Sequence, residues 1–171
     1  MPTNLLLTGR PGIGKTTAAE SIRDALADRD WSLQGFVTRE IRDDGSRVGF
    51  RMIPVDGEET TFAHVDLPPP RISTYGVDLE ALEAVLGETL DPEAEIDAYI
   101  VDEIGKMEVM SDKFIDAMEA LLDNDRPVVA TVGTSDRGLM GEVKKRDDVD
   151  LWKITTENRD GIVDEAVEWL T

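Results

Sequence analysis

The sequence predicts an α/β fold built on a mostly parallel sheet, and three observations predict it. A short apolar run, Leu5-Leu6-Leu7, leads into a glycine-rich loop and then a helical pattern. Unbroken apolar runs are typical of parallel strands covered on both faces. Apolar strands and helical stretches then alternate along the chain, which is the pattern of βα units. Finally, the acidic pair Asp102-Glu103 closes one strand and Thr131 lies at the end of another. Polar groups thus collect at the edge where such sheets bind ligands.

Residues 3–8 are the expected first strand and 15–28 the first helix, with Ala18, Ile22, Ala25 and Leu26 at helical spacing. The texture then changes. Gly35 to Ile41 runs to the turn Asp43-Asp44-Gly45, Arg47 to Ile53 returns to a turn at Asp56-Gly57, and Thr60 to Val65 supplies a third strand. This is an antiparallel β-meander over residues 35–65, inserted into the α/β frame. Leu67-Pro68-Pro69-Pro70 is a stiff connection. Arg71 to Val77 leads to Asp78, an N-cap for a helix with Leu79, Leu82, Val85 and Leu86 on one face. Ala98 to Val101 is a buried strand. Ser111 caps a helix bearing Phe114, Ile115, Met118, Leu121 and Leu122. Pro127 to Val132 and Val149 to Thr155 are the last strands, and Asp160 is expected to cap a final helix with Val163, Val167 and Leu170. No internal repeat interrupts this order, and residues 1–171 read as one domain.

The composition excludes several function classes. A net charge of −19 repels a phosphate backbone, so a non-specific nucleic-acid binder is not expected. The absence of cysteine removes disulfides, thiolate metal sites and cysteine nucleophiles. No apolar run approaches the length of a membrane span, and Met1-Pro2-Thr3-Asn4 lacks the basic segment of a signal peptide. A soluble cytoplasmic protein is expected. His64, the sole histidine, cannot build a metal site and reads as structural.

Residues 9–16 read Gly9-Arg10-Pro11-Gly12-Ile13-Gly14-Lys15-Thr16, a complete G-x-x-x-x-G-K-[ST] phosphate-binding loop (Walker A). Its position between a strand and a helix is the context the motif requires. Glycines let backbone N–H groups wrap a phosphate, and the following helix presents its positive end to the same anion. Lys15 can reach β- and γ-phosphates, and Thr16 can offer its hydroxyl to Mg²⁺. Asp102, at the end of an apolar strand, fits the Walker B acid that holds Mg²⁺. Glu103 beside it can orient and deprotonate an attacking water. Gly105 allows a close backbone turn, and Lys106 either neutralises phosphate charge or pairs with a surface acid. Arg137, Arg146 and Arg159 are candidates to stabilise charge on the transferring phosphoryl group, with Arg137 favoured because it follows the Thr131 strand. Asn158-Arg159-Asp160 follows the last strand, where either a base docks or a helix is capped.

The loop, Gly35-Phe36 with Thr38, Arg47-Val48-Gly49-Phe50, Tyr75-Gly76-Val77-Asp78, Val101-Asp102-Glu103-Ile104-Gly105-Lys106-Met107-Glu108 and Glu157-Asn158-Arg159-Asp160 occur in this order. Together they closely resemble the cancer-related nucleoside-triphosphatase family of archaea, bacteria and animals, over nearly the whole chain. The resemblance implies a P-loop NTPase fold and Mg²⁺-dependent hydrolysis of NTP to NDP and phosphate, with broad tolerance of ATP, GTP, CTP and UTP. It implies nucleotide contacts from Gly9, Arg10, Pro11, Gly12, Ile13, Gly14, Lys15, Thr16 and Thr17. A second contact segment comprises Tyr99, Ile100, Val101, Asp102, Glu103, Ile104, Gly105 and Lys106. The chain departs from the family pattern at Ser73-Thr74, where relatives often carry Gly-Lys, and at Val132-Gly133-Thr134-Ser135. A monomer is expected, with no protein partner indicated. Two alternatives share the same loop: a small-molecule or nucleic-acid-end kinase, and a nucleotide-dependent binding switch.

Acidic residues are spread along the chain, and arginine outnumbers lysine twelve to six. Such a dispersed excess resembles archaeal proteins of salt-loving organisms, where salt screens the self-repulsion. The thermal midpoint is therefore expected to climb as monovalent salt rises from about 0.01 M to about 1 M, where the screening length falls from about 30 Å to about 3 Å. A midpoint that is already maximal in dilute buffer rejects this reading.

Overall fold

The computed structural model describes residues 2–171; Met1, the first residue of the one-domain reading, lies outside them. Among the described residues nine strands form one sheet. They are β1 (Asn4–Thr8), β2 (Leu33–Asp43), β3 (Ser46–Pro54), β4 (Thr60–His64), β5 (Arg71–Ile72), β6 (Tyr75–Val77), β7 (Ala98–Ile104), β8 (Val128–Val132) and β9 (Val149–Lys153). The order across the sheet is β5-β6-β4-β3-β2-β7-β8-β1-β9. β2, β7, β8, β1 and β9 pair in parallel, and the remaining pairs are antiparallel.

The meander shares this sheet. Its first strand pairs with β7 over Leu33–Phe36 and with β3 from Phe36 onward, so the parallel frame and the meander meet within β2. The meander also extends further than residues 35–65, because Arg71–Ile72 and Tyr75–Val77 close a small hairpin at its edge.

Alternation along the strands sorts the core into two faces. Leu5, Leu7, Val37, Ile100 and Val129 pack with Ile22 and Leu26 of helix α1 (Lys15–Asp28) and with Ile162 and Ala166 of helix α5 (Ile162–Leu170). Leu6, Phe36, Val101 and Ala130 face the other way. They pack with Leu82 of α2 (Leu79–Thr89), Phe114 and Met118 of α3 (Asp112–Leu122), and Leu139 of α4 (Gly138–Lys144). The parallel strands are covered on both faces, which is why they read as unbroken apolar runs.

Helix starts follow the capping expectations except at the last. Asp78 accepts from the Ala81 N–H at 3.0 Å and Ser111 from the Phe114 N–H at 3.2 Å. Asp160 does not cap α5. That helix opens after Gly161 with no side-chain cap. Helix α4 has no counterpart in the sequence reading, since Gly138 and Gly141 obscure so short a pattern.

Asn4 ties three elements together at the edge opposite the glycine loop. Its Nδ2 donates to the Leu122 carbonyl at 3.1 Å, and its Oδ1 accepts from the Val128 N–H at 3.0 Å, both buried. Asn4→Ala strands both backbone partners and is expected to cost about 2–4 kcal/mol. This will be read as a lower denaturant midpoint with an unchanged slope; a loss below about 0.5 kcal/mol contradicts that assignment.

Candidate active site

The glycine loop connects β1 to α1 and lies at the C-terminal edge of the parallel strands. Gly12 and Gly14 adopt φ of +82° and +118°, and a side chain at either would project into open space. That conformation favours glycine and leaves a bare backbone cradle. Helix α1 starts with no side-chain cap and no acidic residue in its first turn, whereas α2 and α3 each carry one there and α5 carries two. Its first N–H groups, from Lys15 to Thr17, therefore remain available for an anion.

Lys15 crosses the loop. Its Nζ donates to the Gly9 carbonyl at 3.0 Å and lies 3.1 Å from Glu103 Oε2. The glutamate reaches it because β7 gains a residue against β8. Val101 pairs with Ala130 and Ile104 with Val132, leaving Asp102 and Glu103 opposite one residue. Such a bulge re-aims side chains at a strand end. The Asp102–Glu103 peptide is cis.

Asp102 is the buried centre of the site, 1% exposed. Thr131 Oγ1 donates to its Oδ1 at 2.6 Å, while the Thr38 N–H and Oγ1 donate to Oδ2 at 3.2 and 3.4 Å. Burial pushes its pKa up, and hydrogen bonds from Thr131, Thr16 and Thr38 oppose that shift. Asp102 and Thr16 thus bring a carboxylate and a hydroxyl together beside the cradle. Among the described residues no three His, Cys, Asp or Glu side chains converge as a self-sufficient metal cage. A cation here would take most of its ligands from phosphate oxygens and water.

The remaining sequence candidates separate. Tyr99, Ile100 and Val101 are fully buried, and the Tyr99 hydroxyl donates to the Asp91 carbonyl at 2.5 Å. Their side chains belong to the core. Ile104 is likewise core, and Lys106 is exposed on the turn after β7. Arg146 lies at the opposite edge, ion-paired to Asp123 and Asp148 at 2.6 and 2.8 Å. Asp148 accepts there from the Asn4 N–H at the start of β1, so Arg146 is removed from the phosphoryl candidates. Arg137 is exposed at the start of α4, its N–H bonded to Ser135 Oγ. Arg159 touches the loop: its Nη1 donates to the Ile13 carbonyl at 3.4 Å. His64 is a meander residue whose Nδ1 accepts from the Asp66 N–H at 3.1 Å.

Sequence reasoning missed three participants. Thr38 and Thr131 are held against Asp102 by sheet register; the signals were the place of Thr131 at a strand end and of Thr38 beside Gly35-Phe36 in the family pattern. Glu108 is the third. Its carboxyl is buried, and an added Cβ at Gly105 would lie 2.8 Å from Glu108 Oε1 and 2.9 Å from Glu103 Oε1. Burial, then the charges of Glu103 and Asp102, push its pKa up to about 8.

A family model described as NTPase matches residues 4–167. Nucleoside-triphosphatase THEP1 of Thermotoga sp. (strain RQ2) is 39% identical over 168 residues, covering 97% of this chain and 94% of that protein. The cancer-related nucleoside-triphosphatase homolog of Mus musculus is 31% identical over 98% of this chain and 96% of its own. The crystal structure of THEP1 from the hyperthermophile Aquifex aeolicus superposes with a TM-score of 0.88 at 32% identity, covering 98% of both chains.

Glu108 makes stability depend on pH in a defined direction. Its folded pKa of about 8 lies above the ordinary 4.5. The folded state therefore holds the extra proton between these values, and stability falls as pH rises through that window. Wild type is expected to lose stability relative to Glu108→Gln between about pH 5 and about pH 9, with a slope of at most about 1.4 kcal/mol per pH unit. Parallel stability curves for the two proteins exclude the raised pKa.

Proposed function

The chain belongs to the nucleoside-triphosphatase family whose model it matches, and on that premise we propose that it hydrolyses nucleoside triphosphates to diphosphate and phosphate with Mg²⁺ and little base selectivity. One observation carries the reading: Lys15, the first residue of a helix with no side-chain cap, lies 3.1 Å from Glu103. The pair offers a cation for phosphate beside a carboxylate able to activate water, which supports hydrolysis.

The mechanism follows from the residues. The N–H groups of the loop and of the first turn of α1 bind the polyphosphate, and Lys15 turns from Glu103 to the β- and γ-phosphoryl oxygens. Thr16 and, through water, Asp102 are the residues that would hold Mg²⁺, which supplies neutralisation of charge on those oxygens. Thr131 and Thr38 fix the Asp102 carboxylate by three hydrogen bonds. The Glu103 carboxylate, partly exposed beside them, accepts a proton from the attacking water. The oxygen of that water forms the new bond to γ-phosphorus as the bond to the β–γ bridging oxygen breaks, and NDP leaves. Water as the acceptor is supported by the adjacency of Glu103 to Lys15; phosphate release that required an added acceptor would point to a kinase instead.

Phosphate release from ATP, GTP, CTP and UTP tests this. Glu103→Gln is expected to bind nucleotide normally and lose about 100-fold or more in kcat. Lys15→Ala is expected to raise KM and lower kcat together, and chelation of Mg²⁺ to abolish turnover. Near-normal kcat in Glu103→Gln removes this glutamate from the mechanism, and an unaffected Lys15→Ala rejects the site.

A further inference from the structure

Two clefts open beside the glycine loop and meet across it. One, lined by Lys15, Thr16, Thr38 and Arg39, lies toward β2. The other lies between α1 and the start of α5, lined by Ser21, Arg159, Asp160 and Val163, with a volume of about 450 Å³. Gly12, Gly14 and Thr17 line both, so the two clefts adjoin at the loop. A triphosphate whose terminal phosphate lies at Lys15 and Glu103 can extend along the loop into the second cleft, whose volume accommodates a nucleoside.

The second cleft has the chemistry for a flat aromatic ring. Ala18 and Val163 are apolar, and Arg159 supplies a guanidinium anchored to the Ile13 carbonyl. The segment that carries Arg159 is locked by its neighbour. Asn158 Oδ1 accepts from the Thr155 N–H at 2.7 Å, and its Nδ2 donates to the Lys153 carbonyl at 2.8 Å. Asn158 is therefore a loop brace, and Arg159, itself exposed, rests against the glycine loop through one long hydrogen bond to the Ile13 carbonyl. A guanidinium plane stacks on any base, because every base has a π face.

A larger cleft of about 610 Å³ lies against Gly9, Arg10 and Ile13 of the loop and the end of β9. It contains no residue of α1, and its Lys144 is spent on the Ser135 carbonyl and Asp136.

We propose that the cleft between α1 and α5 is the nucleobase subsite, with Arg159 as its stacking wall. This rests on the nucleotide reading above. The test compares affinities for a nucleoside triphosphate and for inorganic tripolyphosphate, both with Mg²⁺, since the two ligands differ by the nucleoside. Arg159→Ala removes the wall, and Ser21→Trp independently fills the cleft. Each is expected to weaken nucleoside-triphosphate binding about 10-fold while changing tripolyphosphate binding less than about 2-fold. Leu151→Trp, in the larger cleft, is expected to change neither. Equal loss for both ligands in Arg159→Ala, with Ser21→Trp silent, assigns Arg159 to loop support and overturns the subsite. So does a nucleoside-specific loss confined to Leu151→Trp. If wild type releases no phosphate from any NTP, the hydrolytic reading fails, while the affinity comparison still decides the subsite.

Discussion

A single buried carboxylate fixes the site. Asp102 ends the buried run of β7 and takes hydrogen bonds from Thr131 on β8 and from Thr38 on β2, with the Thr16 hydroxyl of α1 also helping to hold its charge. Burying a carboxylate is costly unless its lone pairs are filled. The register of three parallel strands and the entry of α1 are therefore coupled to this one group. Displacing any of them strands a charge away from water, so the elements that build the loop also hold it in place.

The same economy explains how so acidic a protein attracts an anion. The net charge is −19, but exposed charges beyond about 8 Å are largely screened at physiological salt. Over the loop the local balance is different. The free N–H groups of α1 and Lys15 point at the cradle, and the first turn of α1 carries no acid. Glu103 is the exception, and it neutralises Lys15 only until a polyanion competes for it. The Glu108 carboxyl, crowded against Gly105, has its pKa pushed up to about 8 by burial and by its acidic neighbours, which favours its neutral form at pH 7.

Much of this was legible from local patterns. The strand, glycine loop and helix at residues 3–28, the apolar strand that carries Asp102, and the caps Asp78 and Ser111 depend on near neighbours, and short-range periodicity and capping chemistry report them. What depends on distant parts of the chain is not legible in this way. Resemblance groups Tyr99, Ile100 and Val101 with the nucleotide contacts, and coverage of the strand on both faces buries all three side chains. Arg146 resembled Arg137 and Arg159 in sequence, but only folding shows that it pairs with Asp123 and Asp148 at the far edge. Asp160 had the right chemistry for a cap, while α5 begins after Gly161 instead.

The sequence by itself determined the α/β class, the strand, glycine loop and helix that carry Lys15 and Thr16, and the apolar strand that ends in Asp102-Glu103, because each depends on near neighbours in the chain. Tertiary structure alone decided which threonines brace Asp102, that Glu108 turns back onto Gly105, and that Arg159 reaches the loop across 146 positions of sequence. These contacts join strands and helices distant in the chain. Their register is set by how the whole sheet packs on its two helical layers, and no local pattern encodes that sum.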